Sequence, residues 1–170
     1  MIDRLWAGWR SHYVSGATAE PAGEGSLFER ILGSGLGDEA TYVLWRGEHC
    51  AALLNAYPYT SGHLLVLPIR AVAELDLLSE EEAGELWLGV RLGVKAVRAA
   101  YRPAGVNVGA NLGLAAGAGV PDHLHLHVLP RWAGDTNFMT SLAEVRVLPE
   151  PLGVTWQRLH EVWPVAPGLD

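Results

Sequence analysis

The chain concentrates its chemistry in one stretch, Asp122-His123-Leu124-His125-Leu126-His127-Val128-Leu129-Pro130-Arg131-Trp132. Residues two apart in a strand share a face at roughly 6.6–6.8 Å. A strand over His123–Leu129 therefore lines His123, His125 and His127 on one side. Leu124, Leu126 and Val128 turn to the other side, toward a core. Three of the seven histidines thus stand on one strand face. Exposed polar positions of no special role would explain this poorly, because the flanks are a Gly-rich loop and Pro-Arg-Trp. Two sharper chemistries remain. A His-x-His pair can hold zinc or iron, with Asp122 and His63 as further ligands that no spacing rule recommends. Alternatively, a neutral imidazole can attack phosphorus and split one displacement into two through a phosphoramidate. Its neighbours would then bond the phosphoryl oxygens or the leaving group.

The upstream loop favours the second chemistry. Asn111-Leu112-Gly113-Leu114-Ala115-Ala116-Gly117-Ala118-Gly119 is nearly free of bulky side chains. Such a loop lets backbone N–H groups come close to an anion. Downstream, Arg131 and Trp132 offer a phosphate partner and a stacking surface, or simply a surface cation and a packing ring.

These residues need elements to hold them. Met1–Gly25 shows no helical or alternating period and reads as an arm with two Trp and a Tyr. Ser26–Leu32 is a short helix stopped by Gly33. Ala40–Arg46 and Cys50–Leu54 read as a hairpin across Gly47-Glu48. Asn55–Gly62 is a loop of turn formers, and His63–Leu67 a buried strand ended by Pro68. Ser79 and Glu82 form a capping box that opens the one strong helix. Ala83, Leu86, Val90, Val94, Val97 and Tyr101 share its apolar face, and Arg102-Pro103 ends it. Gly105–Asn111 is a strand, and Pro130 stops the histidine strand. Glu144–Leu148 is a further short strand, and Thr155–Val162 a terminal helix. Short turns between strands and one long helix segregated to a face give the class α+β, with an antiparallel sheet. The organisation expected is an arm over 1–25, a main domain over 26–150 and a tail over 151–170.

Composition narrows the function. The chain has 170 residues, 49% of them hydrophobic, which suffices for one packed domain. Twelve Lys+Arg against 19 Asp+Glu leave a net charge of −7, with no basic run for a nucleic-acid backbone. A single cysteine, Cys50, excludes an intrachain disulfide and a zinc site built on cysteines. Met1-Ile2-Asp3-Arg4 does not open a signal peptide, and no apolar run spans a bilayer, so a cytoplasmic protein is expected. The seven Trp read mainly as packing.

The His-φ-His-φ-His-φ-φ pattern of 123–129, with φ apolar, resembles the histidine triad family of nucleotide hydrolases and transferases. Asn55 and the run to His63-Leu-Leu-Val-Leu-Pro68 resemble the family's ribose-binding strand and loop. Leu5-Trp6-Ala7-Gly8-Trp9-Arg10 and Pro130–Phe138 are similar to its bacterial diadenosine tetraphosphate phosphorylase branch. The resemblance implies an antiparallel sheet carrying the long helix, usually in a two-fold homodimer. It implies His125 as nucleophile on the α-phosphorus, with His123 and His127 contacting phosphate or the leaving group. Asn55 would bond ribose. Asn111 and the backbone of Gly117, Ala118 and Gly119 would hold phosphate, and His63, Arg131 and Trp132 would complete the nucleotide site. The activity implied is AMP transfer from dinucleoside polyphosphates to phosphate or water. Cleavage of nucleoside phosphoramidates is the alternative within the same chemistry, and a non-catalytic nucleotide-binding protein the alternative outside it.

Many members hold a structural zinc on Cys-x-x-Cys, a His after the Pro-ended strand, and the first triad His. Here those positions look like Ser26, Glu29, Ala71 and His123, so three ligands are missing and no structural zinc is expected. A divalent cation can still ride on the substrate's polyphosphate. Ala118 and Gly119 also offer only backbone where relatives carry a Ser or Gln donor.

Overall fold

The computed structural model describes residues 24–135 and 150–165. The expected strand Glu144–Leu148 and most of the 1–25 arm lie outside them. Helix α1 (Leu27–Leu32) and the single turn α2 (Asp38–Thr41) lead into strands β1 (Val43–Arg46), β2 (Cys50–Leu54) and β3 (Leu64–Pro68). The long helix α3 (Glu80–Tyr101), strand β4 (Gly105–Ala110), strand β5 (Leu126–Arg131) and helix α4 (Leu152–Glu161) follow. The strands form one antiparallel sheet in the order β1-β2-β3-β5-β4. This is the α+β arrangement expected from the sequence.

Helix α3 covers one face. Its Ser79 capping box forms as predicted, with three glutamates in the first turn favouring the positive end of the helix dipole. Leu86, Val90 and Val97 pack on Ala52, Leu64, Val66 and Val128. Gly89 is needed there: a β-carbon on it would come within 2.7 Å of Val66 Cγ1. Glu85, on the same helix, accepts the N–H groups of Glu48, His49 and Cys50 at 2.9, 2.5 and 2.7 Å, fastening the β1–β2 turn to the helix. Helix α4 seals the near edge, with Trp156 Nε1 donating to Val43 O at 2.7 Å.

Four boundaries differ by more than one residue from the sequence reading, among them the start of the terminal helix at Leu152 instead of Thr155. Residues 38–41 make a helical turn rather than the start of β1, because Tyr42 adopts a left-handed conformation (φ 56°) and turns the chain into the sheet. The histidine strand enters the sheet at Leu126 and not at His123. Before that, Leu124 N–H donates to Val72 O at 2.7 Å, a rail formed by the segment after β3. Pro130 does not end the strand, which runs to Arg131. Thr60 Oγ1 bonds Pro130 O, so that edge of Pro130 faces the 55–62 loop, beyond the last β3 pair at Leu64–Val128. No ladder donor is needed there, so proline is tolerated.

Candidate active site

The face opposite α3 carries the histidines. His127 stands across from Leu65 in β3 and from Gly109 in β4. Phe28 of α1 covers this face with Val43, Leu53, Leu65 and Leu67. Its ring lies edge-on to His123 and His125, at 5.2 and 5.3 Å between centroids. The three triad histidines and His63 are all buried.

Hydrogen-bond partners fix the protons on these rings. His125 Nδ1 lies 2.8 Å from the carbonyl of His123. A carbonyl only accepts, so Nδ1 carries the proton and Nε2 presents its lone pair. A main-chain acceptor is what a nucleophilic imidazole here requires. Burial lowers the pKa of His125 below the ordinary histidine value, outweighing the bond to His123 O, so the ring is neutral near pH 7.

His127 belongs to a relay. Tyr59 N–H donates to His63 Nδ1 at 3.1 Å, which leaves the His63 proton on Nε2. His63 Nε2 then donates to His127 Nδ1 at 2.8 Å. The His127 proton is therefore on Nε2, a buried atom without a hydrogen-bond partner beside His125. Burial first, and the nearby His125 second, push the His127 pKa down to about 4. A neutral ring holding an unpaired N–H next to a nucleophile can donate to charge that develops on a leaving oxygen. His63 was expected among nucleotide ligands; instead it orients His127, and Tyr59 packs over both rings.

His123 departs from the expected flanking role. Its Nε2–H donates to Pro68 O at 2.8 Å, and Nδ1 accepts the Ser26 hydroxyl at 2.5 Å. Both nitrogens are used and the ring is wholly buried, so it holds structure rather than substrate phosphate. Sequence reasoning missed Ser26, although Ser26-Leu-Phe-Glu29 repeats the capping-box pattern of Ser79–Glu82.

The remaining predicted residues divide. Asn55 Oδ1 accepts from Tyr57 N–H at 2.9 Å, and its Nδ2 lies 3.4 Å from His63 Nδ1, beside the relay. Asn111 follows Gly109 on the triad face, with Nδ2 3.4 Å from Gly117 O. The N–H groups of Gly117 and Ala118 close the loop on Leu114 O and Gly113 O, so in this conformation they do not face a phosphate as expected. Gly119 sits exposed beyond them. The Arg131 guanidinium is gripped by both carboxylate oxygens of Asp135, at 2.6 and 2.7 Å, and by Asn107 Oδ1 at 2.9 Å. Trp132 falls on the α3 side, edge-on to Tyr101 at 6.3 Å, because alternation after Arg131 turns it off the histidine face. It does not stack in the site.

The four positions that the family resemblance matches to a zinc site do meet here. Glu29 Oε1 accepts Ala71 N–H at 2.9 Å, its Oε2 accepts Ser26 N–H at 2.8 Å, and Ser26 Oγ reaches His123. They do not fit zinc. Ala71 has no donor atom to give, Ser26 offers a hydroxyl, and His123 has spent both nitrogens. Among the described residues no group of three or more His, Cys, Asp or Glu is placed to hold a metal.

Comparison with known proteins places the fold in a family. The family model described as HIT domain matches residues 37–134. The chain is 38% identical over 167 residues to the AP-4-A phosphorylase of Mycobacterium tuberculosis (strain ATCC 25618 / H37Rv), covering 95% of this chain and 85% of that one. A hypothetical histidine triad nucleotide-binding protein from Sulfolobus tokodaii superposes with a TM-score of 0.64 at 28% identity, over 79% of this chain and 89% of that one. A Zn-bound histidine triad family protein from Mycobacterium smegmatis gives a TM-score of 0.65 at 24% identity, over 81% and 92% of the two chains, and shares the fold.

Proposed function

This chain belongs to the histidine triad (HIT) family, and on that footing we propose that it cleaves dinucleoside polyphosphates such as diadenosine tetraphosphate by transferring AMP through His125. The observation that carries this reading is the proton pattern: His125 presents Nε2 as a lone pair while His127 presents Nε2–H beside it. His125 Nε2 attacks the α-phosphorus, and ATP leaves with the P–O bond electrons while His127 Nε2–H stabilises the departing oxygen. The nucleotidylated ring keeps its Nδ1–H on His123 O, which stabilises the cationic intermediate. An acceptor then takes AMP from nitrogen. Inorganic phosphate gives ADP and water gives AMP. Phosphate is favoured, because the relative that matches 95% of this chain is named a phosphorylase.

Asn55 and Asn111 flank the histidines as the ribose and phosphate contacts of this reading. Arg131 is engaged by Asp135, and a divalent cation arriving on the polyphosphate would supply charge neutralisation as part of the substrate. A structural zinc plays no part. The protein works as a cytoplasmic homodimer, supported by the edge strand β4 with Val108 exposed and by a lone buried cysteine. Among the described residues no helix is long and apolar enough to cross a membrane.

The test is product analysis with diadenosine tetraphosphate, with and without inorganic phosphate. Equal ADP and ATP in phosphate supports phosphorolysis. AMP and ATP under both conditions makes the enzyme a hydrolase. No cleavage of this substrate, with turnover of a nucleoside phosphoramidate, overturns the reading.

A further inference from the structure

The nucleophile's aim depends on a carbonyl, and that carbonyl belongs to a residue whose side chain is clamped from elsewhere. We propose that Ser26 is a positioning residue for His125, acting through His123; this rests on the role given to His125 above.

Ser26 is buried at the N-cap of α1, 97 positions from His123 in sequence, and its hydroxyl meets His123 Nδ1 at 2.5 Å. The capping box holds the hydroxyl in place: Glu29 N–H donates to it at 3.2 Å, and Glu29 Oε2 takes Ser26 N–H. The other carboxylate oxygen of Glu29 takes Ala71 N–H, and those two backbone donors hold the Glu29 carboxyl below its ordinary range. Ala71 belongs to the rail after β3. That rail also supplies Pro68 O to His123 Nε2–H and Val72 O to Leu124 N–H. The His123 ring is thus gripped between the cap of α1 and the rail. The peptide plane that follows His123 is held by the same rail, and its carbonyl receives His125 Nδ1–H.

This chain ties these positions with a hydroxyl, a carboxylate and backbone amides. The tie matters for His125. Without the Ser26 hydroxyl, His123 Nδ1 has lost its acceptor bond in a buried place. The ring is then held by Pro68 O alone, and the direction of His123 O rests on the Leu124–Val72 bond without the second clamp through its side chain. His125 would lose its fixed tautomer and present Nε2 less often as a lone pair.

The test uses the intact protein with Ser26→Gly, Ser26→Ala and Ser26→Thr. Glycine is itself an acceptable N-cap, so Ser26→Gly removes the hydroxyl while preserving the helix start. Nitrogen-15 NMR of the histidine rings, on protein without substrate, reads the tautomers. The expected result is His125 protonated at Nδ1 in the wild type and a mixture in Ser26→Gly and Ser26→Ala. In those two variants kcat for diadenosine tetraphosphate should fall about tenfold, short of the roughly 10²-fold that a 1 Å misplacement of a reacting group can cost, with KM nearly unchanged. Ser26→Thr should restore both. Unchanged His125 tautomer and kcat in the hydroxyl-free variants overturns the proposal. So does a wild-type spectrum with His123 protonated at Nδ1, which requires no variant to fold. A wild type that cleaves no dinucleotide refutes the proposed function instead, and the NMR result still decides the positioning.

Discussion

His123 and His127 are the same residue type, two positions either side of His125, yet the structure uses them oppositely. Around His123 every polar atom of the ring has a partner: Ser26 on one nitrogen and Pro68 O on the other. Around His127 a single relay from Tyr59 N through His63 satisfies Nδ1 and leaves Nε2–H unpaired. A buried polar atom without a partner is costly, and native proteins keep few of them. The one beside His125 is therefore the group kept for a ligand, and the satisfied ring is the group kept for architecture. The three rings share one face; partners tell them apart.

The largest effect should come from the ring between them. His125→Ala should remove turnover by orders of magnitude while nucleotide affinity, measured by calorimetry, stays largely intact. Retention of more than a few per cent of turnover by the folded variant would defeat the covalent mechanism at this residue.

Next come the two ends. His127→Ala should lower kcat about 10²–10³-fold, the usual cost of one donor to developing charge, with a stability loss limited to the one donor it orphans, His63 Nε2–H. His123→Ala should weigh more on stability and less on turnover. It leaves the Ser26 hydroxyl and Pro68 O unmatched, which costs on the order of 1–3 kcal/mol each in stability, and the folded protein should lose less activity than His127→Ala. Urea denaturation and steady-state kinetics on both variants check this; equal profiles would erase the distinction between the ends.

The ends also predict a pH dependence. All three triad rings have pKa values lowered by burial, His127 to about 4 from an ordinary 6.5. Between those values the unfolded chain binds protons that the folded chain refuses. Stability should therefore fall as pH drops from about 7 toward 5, and be regained on return. His127→Ala should flatten that slope in denaturation curves taken across the window. The smallest effect is expected at Arg131, whose guanidinium is occupied by Asp135 and Asn107. Arg131→Ala should leave the ratio of rates on diadenosine tetraphosphate and the triphosphate unchanged, with a stability loss below about 1 kcal/mol. A shifted ratio would restore it to the substrate.

Much of this frame was legible in the sequence because it depends on local pattern. Alternation put His127 on the face opposite α3, and the Ser79–Glu82 box with its apolar stripe marked α3, while His123 and His125 reach that face from the segment just before the strand. What stayed hidden depends on distant partners. Nothing near His123 announces that Ser26 will meet it, and nothing near His63 announces that its Nε2 will serve His127. The role of Pro130 was misread for a related reason. Whether a proline ends a strand depends on what the neighbouring strand asks of that edge, and here β3 has already stopped pairing. The tetrad Ser26-Leu-Phe-Glu29 did carry a readable cap signal, but its hydroxyl also serves a histidine that only the folded chain brings within reach.

The central claim is that His125 Nε2 carries AMP between two bonds. It is tested most directly by mixing the enzyme briefly with diadenosine tetraphosphate in the absence of phosphate, quenching under alkaline conditions, and mapping the adduct by mass spectrometry. The account predicts one adenylyl group on His125, absent from His125→Ala and discharged as ADP when phosphate is added before the quench. An adduct on His123 or His127, or full turnover with no adduct on any histidine, would contradict it.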